Sequence, residues 1–410
     1  MNLPNNKKKE VILMAKTLVY QLYPRSWKYG LKGMTEHLQR IATLDVDYVW
    51  LSPIYPSPGC DGGYDVSDYC AIDPRYGTMQ DFDRFVETAH NMGIGVLMDL
   101  VINHTSIKHK WFGQHPEYYC WSSHDHPGWH NLFDNGPAWR YVEKYDEFYL
   151  HLFHSSQADL NWFPDGNLNH DLVQEFRGIV DFWVDGHYVD GFRLDAIQSI
   201  NKDFTREFLE LPDILHGKQA IDVINAIFPA KKHKNPFLMA ECLDPTMGDI
   251  VDFYTDSMNI DFVVNILLKE EASDLLEFVD SIQYLAENPQ YMLELESHDS
   301  PRFPSRGIPP EDAIWYMFNS SSKGICLYQG QELGLTNPSK EQLPDQTMLE
   351  LDVQTAMRYI KGEDLDYLRP MSRANARIPI PLDEYKKQDQ DPSSYLNLTK
   401  NWIARWRDSI

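Results

Sequence analysis

Apolar and polar positions along this chain fall into two alternating patterns. Short runs rich in β-branched and aromatic residues recur: TLVYQLY (17–23), VDYVWLSP (46–53), GVLMDLVIN (95–103), GFRLDAI (191–197), FLMAEC (237–242), IDFVVNI (260–266), YMLELESHD (291–299) and GICLYQG (324–330). They lack the polar alternation of a half-exposed strand, which is how strands buried on both faces read. Helical patterns lie between them. In TMQDFDRFVETAHNM (78–92), Phe82, Phe85, Val86, Ala89 and Met92 share one stripe, and Thr78 is placed to cap the helix ahead of Asp81. HDLVQEFRGIVDFWVDGH (170–187) and SYLNLTKNWIARWRDS (394–409) repeat the pattern. Alternation of β and α predicts an α/β fold with a parallel sheet, and eight strands favour a closed (β/α)8 TIM barrel over an open doubly wound sheet. No G-x-G-x-x-G or Walker loop follows a strand, which argues against nucleotide binding.

One segment breaks the rhythm. Residues 104–169 are rich in His, Trp, Tyr, Asn, Gly and Pro without a long periodic stretch. A connection of that length is functional or a subdomain. The expected division is therefore a barrel from 1–103 and 170–410, with 104–169 inserted after the third strand on the C-terminal barrel face, where active sites form.

Composition adds exclusions. Of 410 residues, 43% are hydrophobic and 24% charged, the profile of a folded globular chain. The net charge of −24 argues against nucleic acid and anionic membranes as partners, since both demand a basic face. Five cysteines without C-x-x-C spacing (Cys60, Cys70, Cys120, Cys242, Cys326) read as reduced thiols with no zinc site. The N-terminal apolar run is cut by Lys16 and shows no cleavage site, and no stretch is long enough to span a bilayer. A cytoplasmic location is the expectation, and the oligomeric state is left open.

The chemistry sits at the strand ends. Asp99, His104, Arg193, Asp195, Glu241, His298 and Asp299 close strands that are otherwise apolar. With a period of two, Arg193 and Asp195 face the same way. Buried charges persist when paired or used, and several carboxylates on one rim point to catalysis. Two carboxylates flanking one point are the minimum apparatus for cleaving a glycosidic bond. Arg193 is expected to hold Asp195 ionised, and the apolar strand around Glu241 to raise its pKa towards that of a working acid.

DLVINH (99–104), GFRLDA (191–196), AEC (240–242) and ESHD (296–299) fall in order, together with YQLYPRSW (20–27), GGYDVSDY (62–69), YQGQELG (328–334) and RANARIPI (373–380). As a set they resemble the α-amylase family, glycoside hydrolase family 13, over nearly the whole chain. QADLNW (157–162) resembles the block that marks the oligo-1,6-glucosidase and α-glucosidase subfamily. The resemblance implies Asp195 as nucleophile, Glu241 as general acid/base and Asp299 as transition-state stabiliser. It implies Tyr64 as a stacking platform, Asp65, His104, Arg193 and His298 as sugar ligands, and Arg377 closing the pocket. It further implies retention of configuration, with the Asp195 and Glu241 carboxyls about 5–5.5 Å apart.

Three features depart from that pattern. YPRSWKYGLKGM (23–34) lacks the carboxylates of the relatives' calcium loop, so no metal or other cofactor is expected there. The chain stops at the eighth barrel helix, so the C-terminal β-sandwich domain usual in the family is expected to be absent. AEC and ESHD replace commoner flanking residues, although the acidic residues stay. The favoured substrate is a short α-1,4-linked oligosaccharide, because Ala196 stands where α-1,6-acting relatives carry valine. The alternatives are α-1,6 cleavage, transglycosylation or isomerisation, a phosphorylated disaccharide recognised through Lys108, His109 and Lys110, and a non-catalytic homologue. HDHPGWH (124–130) raises a metal site as a further alternative to a polar loop. Trp111, Trp121, Trp129, Trp139 and Trp162 read as core of the insertion rather than sugar platforms.

Overall fold

The computed structural model describes residues 16–207, 217–229, 236–243, 249–265, 288–320 and 323–409. Thirteen strands are found among them. Eight form one parallel sheet: β1 (Thr17–Leu22), β2 (Tyr48–Leu51), β3 (Gly95–Val101), β9 (Gly191–Asp195), β10 (Phe237–Cys242), β11 (Phe262–Asn265), β12 (Met292–Glu294) and β13 (Gly324–Tyr328). Their order is β11-β10-β9-β3-β2-β1-β13-β12. A parallel bridge between Val263 and Tyr291 joins the two ends and closes the barrel. Each of the eight apolar runs contributes one strand. Residue 266 and most of the N-terminal stretch read for a targeting segment lie outside the described residues.

Alternate residues of each strand point into the barrel. At its base they are apolar, with Val19, Trp50, Leu97, Met239, Phe262, Val264, Met292 and Cys326 packed together. One step towards the C-terminal end the inward positions turn polar: Gln21, Asp99, Arg193 and Glu241 are all buried. The apolar floor makes the layer above it a low-dielectric site, where each charge needs a partner. Gly191 begins β9 because β10 passes so close that a Cβ would lie 2.0 Å from the Phe237 carbonyl oxygen. That contact sets the height of Arg193 and Asp195 against their neighbours.

Helices cover the outside. Met79–His90 starts with a reciprocal capping box between Thr78 and Asp81 and buries Phe82, Phe85, Val86 and Ala89. It ends at His90, two residues short of the expected end, because Asn91–Gly93 turn the chain into β3. His170–His187 and Tyr395–Asp408 occupy the other two segments whose apolar periodicity predicts helix. None of the helices among the described residues is long and apolar enough to cross a membrane.

Between β3 and β9 lie two small antiparallel sheets. β4 (His104–Ser106) pairs with β8 (Gln157–Asp159), and β7 (Glu147–Leu150) lies between β5 (Trp121–Ser122) and β6 (Trp139–Val142). Trp111, Trp129, Trp139 and Trp162 are buried in this region, and Trp121 is half-buried. The buried Lys202, just beyond β9, locks the region to the barrel. Its Nζ donates to Asn103 Oδ1 (2.7 Å) and the Ser199 carbonyl (2.6 Å) and lies 3.2 Å from Asp159 Oδ2.

Candidate active site

The β3–β9 register places Asp99 opposite Arg193. Arg193 is the hub of the polar layer. Its Nη1 donates to Asp99 Oδ1 (2.9 Å) and Asp195 Oδ1 (2.5 Å), and its Nη2 pairs with Glu241 Oε2 (2.6 Å). The guanidinium also lies over the rings of Trp50 and Tyr64, at 5.1 and 5.7 Å. Just after Asp195 the chain turns left-handed at Ala196 (φ 39°, ψ 49°), and the Ala196 N–H donates to Glu241 Oε2 at 3.1 Å. One oxygen of Glu241 is therefore held twice. The other, Oε1, is buried and has no hydrogen-bond partner among the described residues.

A second arginine gathers the opposite wall. Arg373 Nη1 donates to Asp299 Oδ1 (3.1 Å) and Nη2 to Asp61 Oδ1 (3.3 Å), while Nε donates to Asp352 Oδ1 (3.2 Å). Asp299 also accepts from Arg377 Nη2 (2.9 Å) and lies 2.9 Å from His298 Nε2. Tyr64 stands between the two hubs. Its ring stacks on His298 with centroids 5.1 Å apart, and its hydroxyl donates to Asp99 Oδ2 at 2.9 Å.

These surroundings split the carboxyls. Burial pushes Asp195 well above its ordinary value; Arg193 pulls it down, but the charges of Glu241 and Asp99 push it up again. The expectation that Arg193 holds Asp195 ionised is thus corrected: one guanidinium is shared among three carboxylates, and its pull does not offset burial and the neighbouring charges. Burial likewise raises Asp99 to about 6 against the pull of Arg193. Asp299 goes the other way. Burial opposes it, but His298, Arg373 and Arg377 hold it well below the usual carboxylate range.

Burial lowers both His104 and His298 to about 4 from 6.5. Both rings are therefore neutral hydrogen-bonding groups around neutral pH. Above pH 6.5 they are neutral in the folded and unfolded chain alike, so no stability is lost there. As pH falls towards 4 the unfolded chain binds protons that the folded one refuses, and stability drops by on the order of 3 kcal/mol per ring. Urea midpoints should therefore fall between pH 7 and 4.5, with a shallower slope for His298→Gln. Equal slopes for the two proteins would refute this.

The structure brings Asp195, Glu241, Asp299, Tyr64, Arg193 and His298 together. His104 joins them from β4, with Gln157 Nε2 at 3.0 Å from its Nε2. Two residues named from sequence do not face the pocket as expected. Asp65 is spent on its own loop, accepting from Ser57 Oγ (2.6 Å) and the backbone N–H groups of Cys60 and Asp61. Asp61, four residues earlier, accepts from Arg373 Nη2 at 3.3 Å. Arg377 is sealed behind Asp299, its other nitrogens taken by the carbonyls of His298 and Leu351. Arg373, the other arginine of RANAR, is the one between the carboxylates. Arg373 lies within RANARIPI, and Asp61 immediately precedes GGYDVSDY. Gln157 sits in the QADLNW block and donates to Asp61 Oδ2 at 3.1 Å.

Other readings lose ground. No three His, Cys, Asp or Glu side chains among the described residues converge as metal ligands, the HDHPGWH segment included. His109 is buried and accepts from the Trp111 N–H at a helix start, so it is not free to bind a phosphate.

The family described as "Alpha amylase, catalytic domain" matches residues 21–402. The chain is 30% identical over 431 residues to the trehalose-6-phosphate hydrolase of Bacillus subtilis (strain 168), covering 90% of this chain and 74% of that protein. It is 29% identical over 439 residues to the oligo-1,6-glucosidase of Heyndrickxia coagulans, covering 90% and 76%. The crystal structure of Bacillus licheniformis trehalose-6-phosphate hydrolase superposes with a TM-score of 0.80 at 28% identity, covering 96% of this chain and 83% of that one.

Proposed function

We propose that this chain, which belongs to the α-amylase family of glycoside hydrolases, is a retaining α-glucosidase that releases glucose from the non-reducing end of short α-glucosides. One observation carries the reading: adjacent nitrogens of Arg193 hold Asp195 and Glu241, while the buried Glu241 Oε1 is left without a hydrogen-bond partner among the described residues. Two carboxylates paired to adjacent nitrogens of one guanidinium favour the short separation of a retaining enzyme over the wider gap that an inverting enzyme's water requires. In the first step an Asp195 oxygen attacks the anomeric carbon and the bond to the leaving oxygen breaks. Glu241 gives that oxygen its proton. In the second step Glu241 takes a proton from water, whose oxygen displaces Asp195 and releases glucose. Asp299, kept ionised, faces the positive charge that develops on the ring. The second hub, with Asp61, Asp299 and Arg373 joined, supports a pocket closed at one end and hence attack on terminal sugars. A proton NMR time course tests the mechanism. Retention gives α-glucose first, and initial release of β-glucose would overturn it.

For linkage we propose a preference for α-1,4 bonds. Ala196 offers only a methyl group at the approach to the leaving-group side, and its left-handed φ is costly for a β-branched residue. Ala196→Val is expected to lower the ratio of kcat/KM for maltose over isomaltose by about tenfold to a hundredfold, the range that one or two methyls can command. Trehalose 6-phosphate belongs in the same comparison, because a relative is named for that substrate. Wild-type turnover of isomaltose above maltose would reverse the assignment.

A further inference from the structure

Two arginines organise the pocket, and each gathers three carboxylates. Arg193 holds Asp99, Asp195 and Glu241; Arg373 holds Asp61, Asp299 and Asp352. In each trio one carboxylate is withdrawn from the pocket, for Asp99 and Asp352 are both 1% exposed. Asp352 caps the helix Val353–Ile360 by accepting from the N–H groups of Gln354 (3.1 Å) and Thr355 (3.3 Å). Capping asks no more of an aspartate. Yet Asp352 accepts four further bonds, from Thr355 Oγ1 (2.6 Å), Ser372 Oγ (2.8 Å), and the N–H (3.0 Å) and Nε (3.2 Å) of Arg373. Two of these four fix the arginine.

We infer that Asp352 is a positioning residue for the sugar pocket: it anchors the Nε edge of Arg373, so that Nη1 and Nη2 are presented to Asp299 and Asp61. The helix it caps completes the support. Gln354 Nε2 donates to the Phe133 carbonyl (3.2 Å), and the Phe133 ring lies 5.2 Å from the Arg373 guanidinium. Arg373 is thus held from behind by a charge and supported at its side by an aromatic ring. Arg373 and Arg377 hold Asp352 ionised at about 2, despite burial that would raise it, so the anchor keeps its charge at any working pH. Without that charge, the guanidinium is drawn onto Asp61 and Asp299 and competes with the hydroxyls of the terminal sugar. Ground-state binding should weaken while the carboxylates around Arg193 keep their chemistry.

The inference rests on the glucosidase reading of the pocket. Asp352→Asn keeps the size of the cap and removes its charge. It is expected to raise KM for p-nitrophenyl α-glucoside and Ki for D-glucose together by about tenfold, one charge-assisted hydrogen bond's worth. The kcat should change less than about threefold on the same footing. Thr355→Val removes a different donor from the same carboxylate. It should lower the melting temperature and leave KM and Ki unchanged. Arg373→Lys combined with Asp352→Asn should bind no more weakly than Arg373→Lys alone, because the anchor acts only through the arginine. Unchanged KM and Ki in Asp352→Asn, an equal rise in Thr355→Val, or fully additive effects would each overturn the inference. Should Asp352→Asn fail to fold, Asp352→Glu moves the charge by one methylene and bears the same expectation and the same refutation. Asp195→Asn separates the two levels. If it retains turnover, the glucosidase reading fails; if it is inactive while Asp352→Asn binds normally, only the anchor role fails.

Discussion

Replacing Asp195 by Asn is expected to reduce turnover of every α-glucoside by roughly 10^4-fold or more, the scale on which loss of an attacking group is felt. The amide keeps the shape of the carboxylate and a hydrogen-bonding atom for Arg193, so the fold should survive and the loss can be read as chemistry. Glu241→Gln should cost about 10^2–10^4-fold for maltose, whose leaving alkoxide needs a proton. The same variant should lose far less on α-glucosyl fluoride, whose leaving group needs none. Initial rates on the two donors make the comparison. Equal losses on both would refute an acid role for Glu241, and an active Asp195→Asn would refute the nucleophile. Because the carboxylates around Arg193 share one cation, the acid limb of the pH–rate profile should lie above the ordinary aspartate range. Activity should fall there as pH drops, and the apparent pKa belongs to the group rather than to Asp195 alone.

The largest loss of stability is expected at Lys202. Its ammonium joins the end of β3, the turn after β9 and Asp159 of β8, with its side chain 3% exposed. Lys202→Met fills similar space but strands the Asp159 carboxylate without its cation. Breaking a buried pair from one side costs about 3–5 kcal/mol. Removing both charges, in Lys202→Met with Asp159→Asn, should recover much of that cost, because desolvation of an unpaired ion is what makes the single change expensive. Denaturant midpoints for the two proteins test this. A double variant no more stable than Lys202→Met would show that Asp159 matters for reasons other than its charge, and an unchanged midpoint in the single variant would remove the linkage altogether. Activity should fall with the single change as well, since Lys202 ties together the segments that carry His104 and Asp195.

Much of the fold and of the site is legible in the sequence. Eight apolar runs without polar alternation could only be strands covered on both sides, and their alternation with amphipathic segments left the barrel as the economical closure. Charges at the ends of such strands stand out because an apolar strand has no structural need of them. That made Asp195, Glu241, Asp299, Arg193, His104 and His298 visible from their spacing. Asp61 and Arg373 were harder, because each has a second residue of the same type four positions away. Asp61 stands just ahead of GGYDVSDY, which itself holds Asp65, and RANARIPI holds both arginines, so neither motif says which carboxylate or which guanidinium faces the pocket. Asp352 carried no signal at all: in LELDVQTAM it reads as an ordinary cap.

By itself, then, the sequence determined the barrel, the position of the long insertion after β3 and the chemical identity of the groups at the rim. These follow from local periodicity and residue type. Only the tertiary structure decided how those groups are shared: three carboxylates to each arginine, Asp61 turned inward while Asp65 binds its own loop, and Arg377 sealed behind Asp299. Such choices depend on distances between segments far apart in the chain. Burial then sets their energetics, raising Asp195 while three cationic or imidazole partners keep Asp299 charged. Neither effect is written in any local pattern of residues.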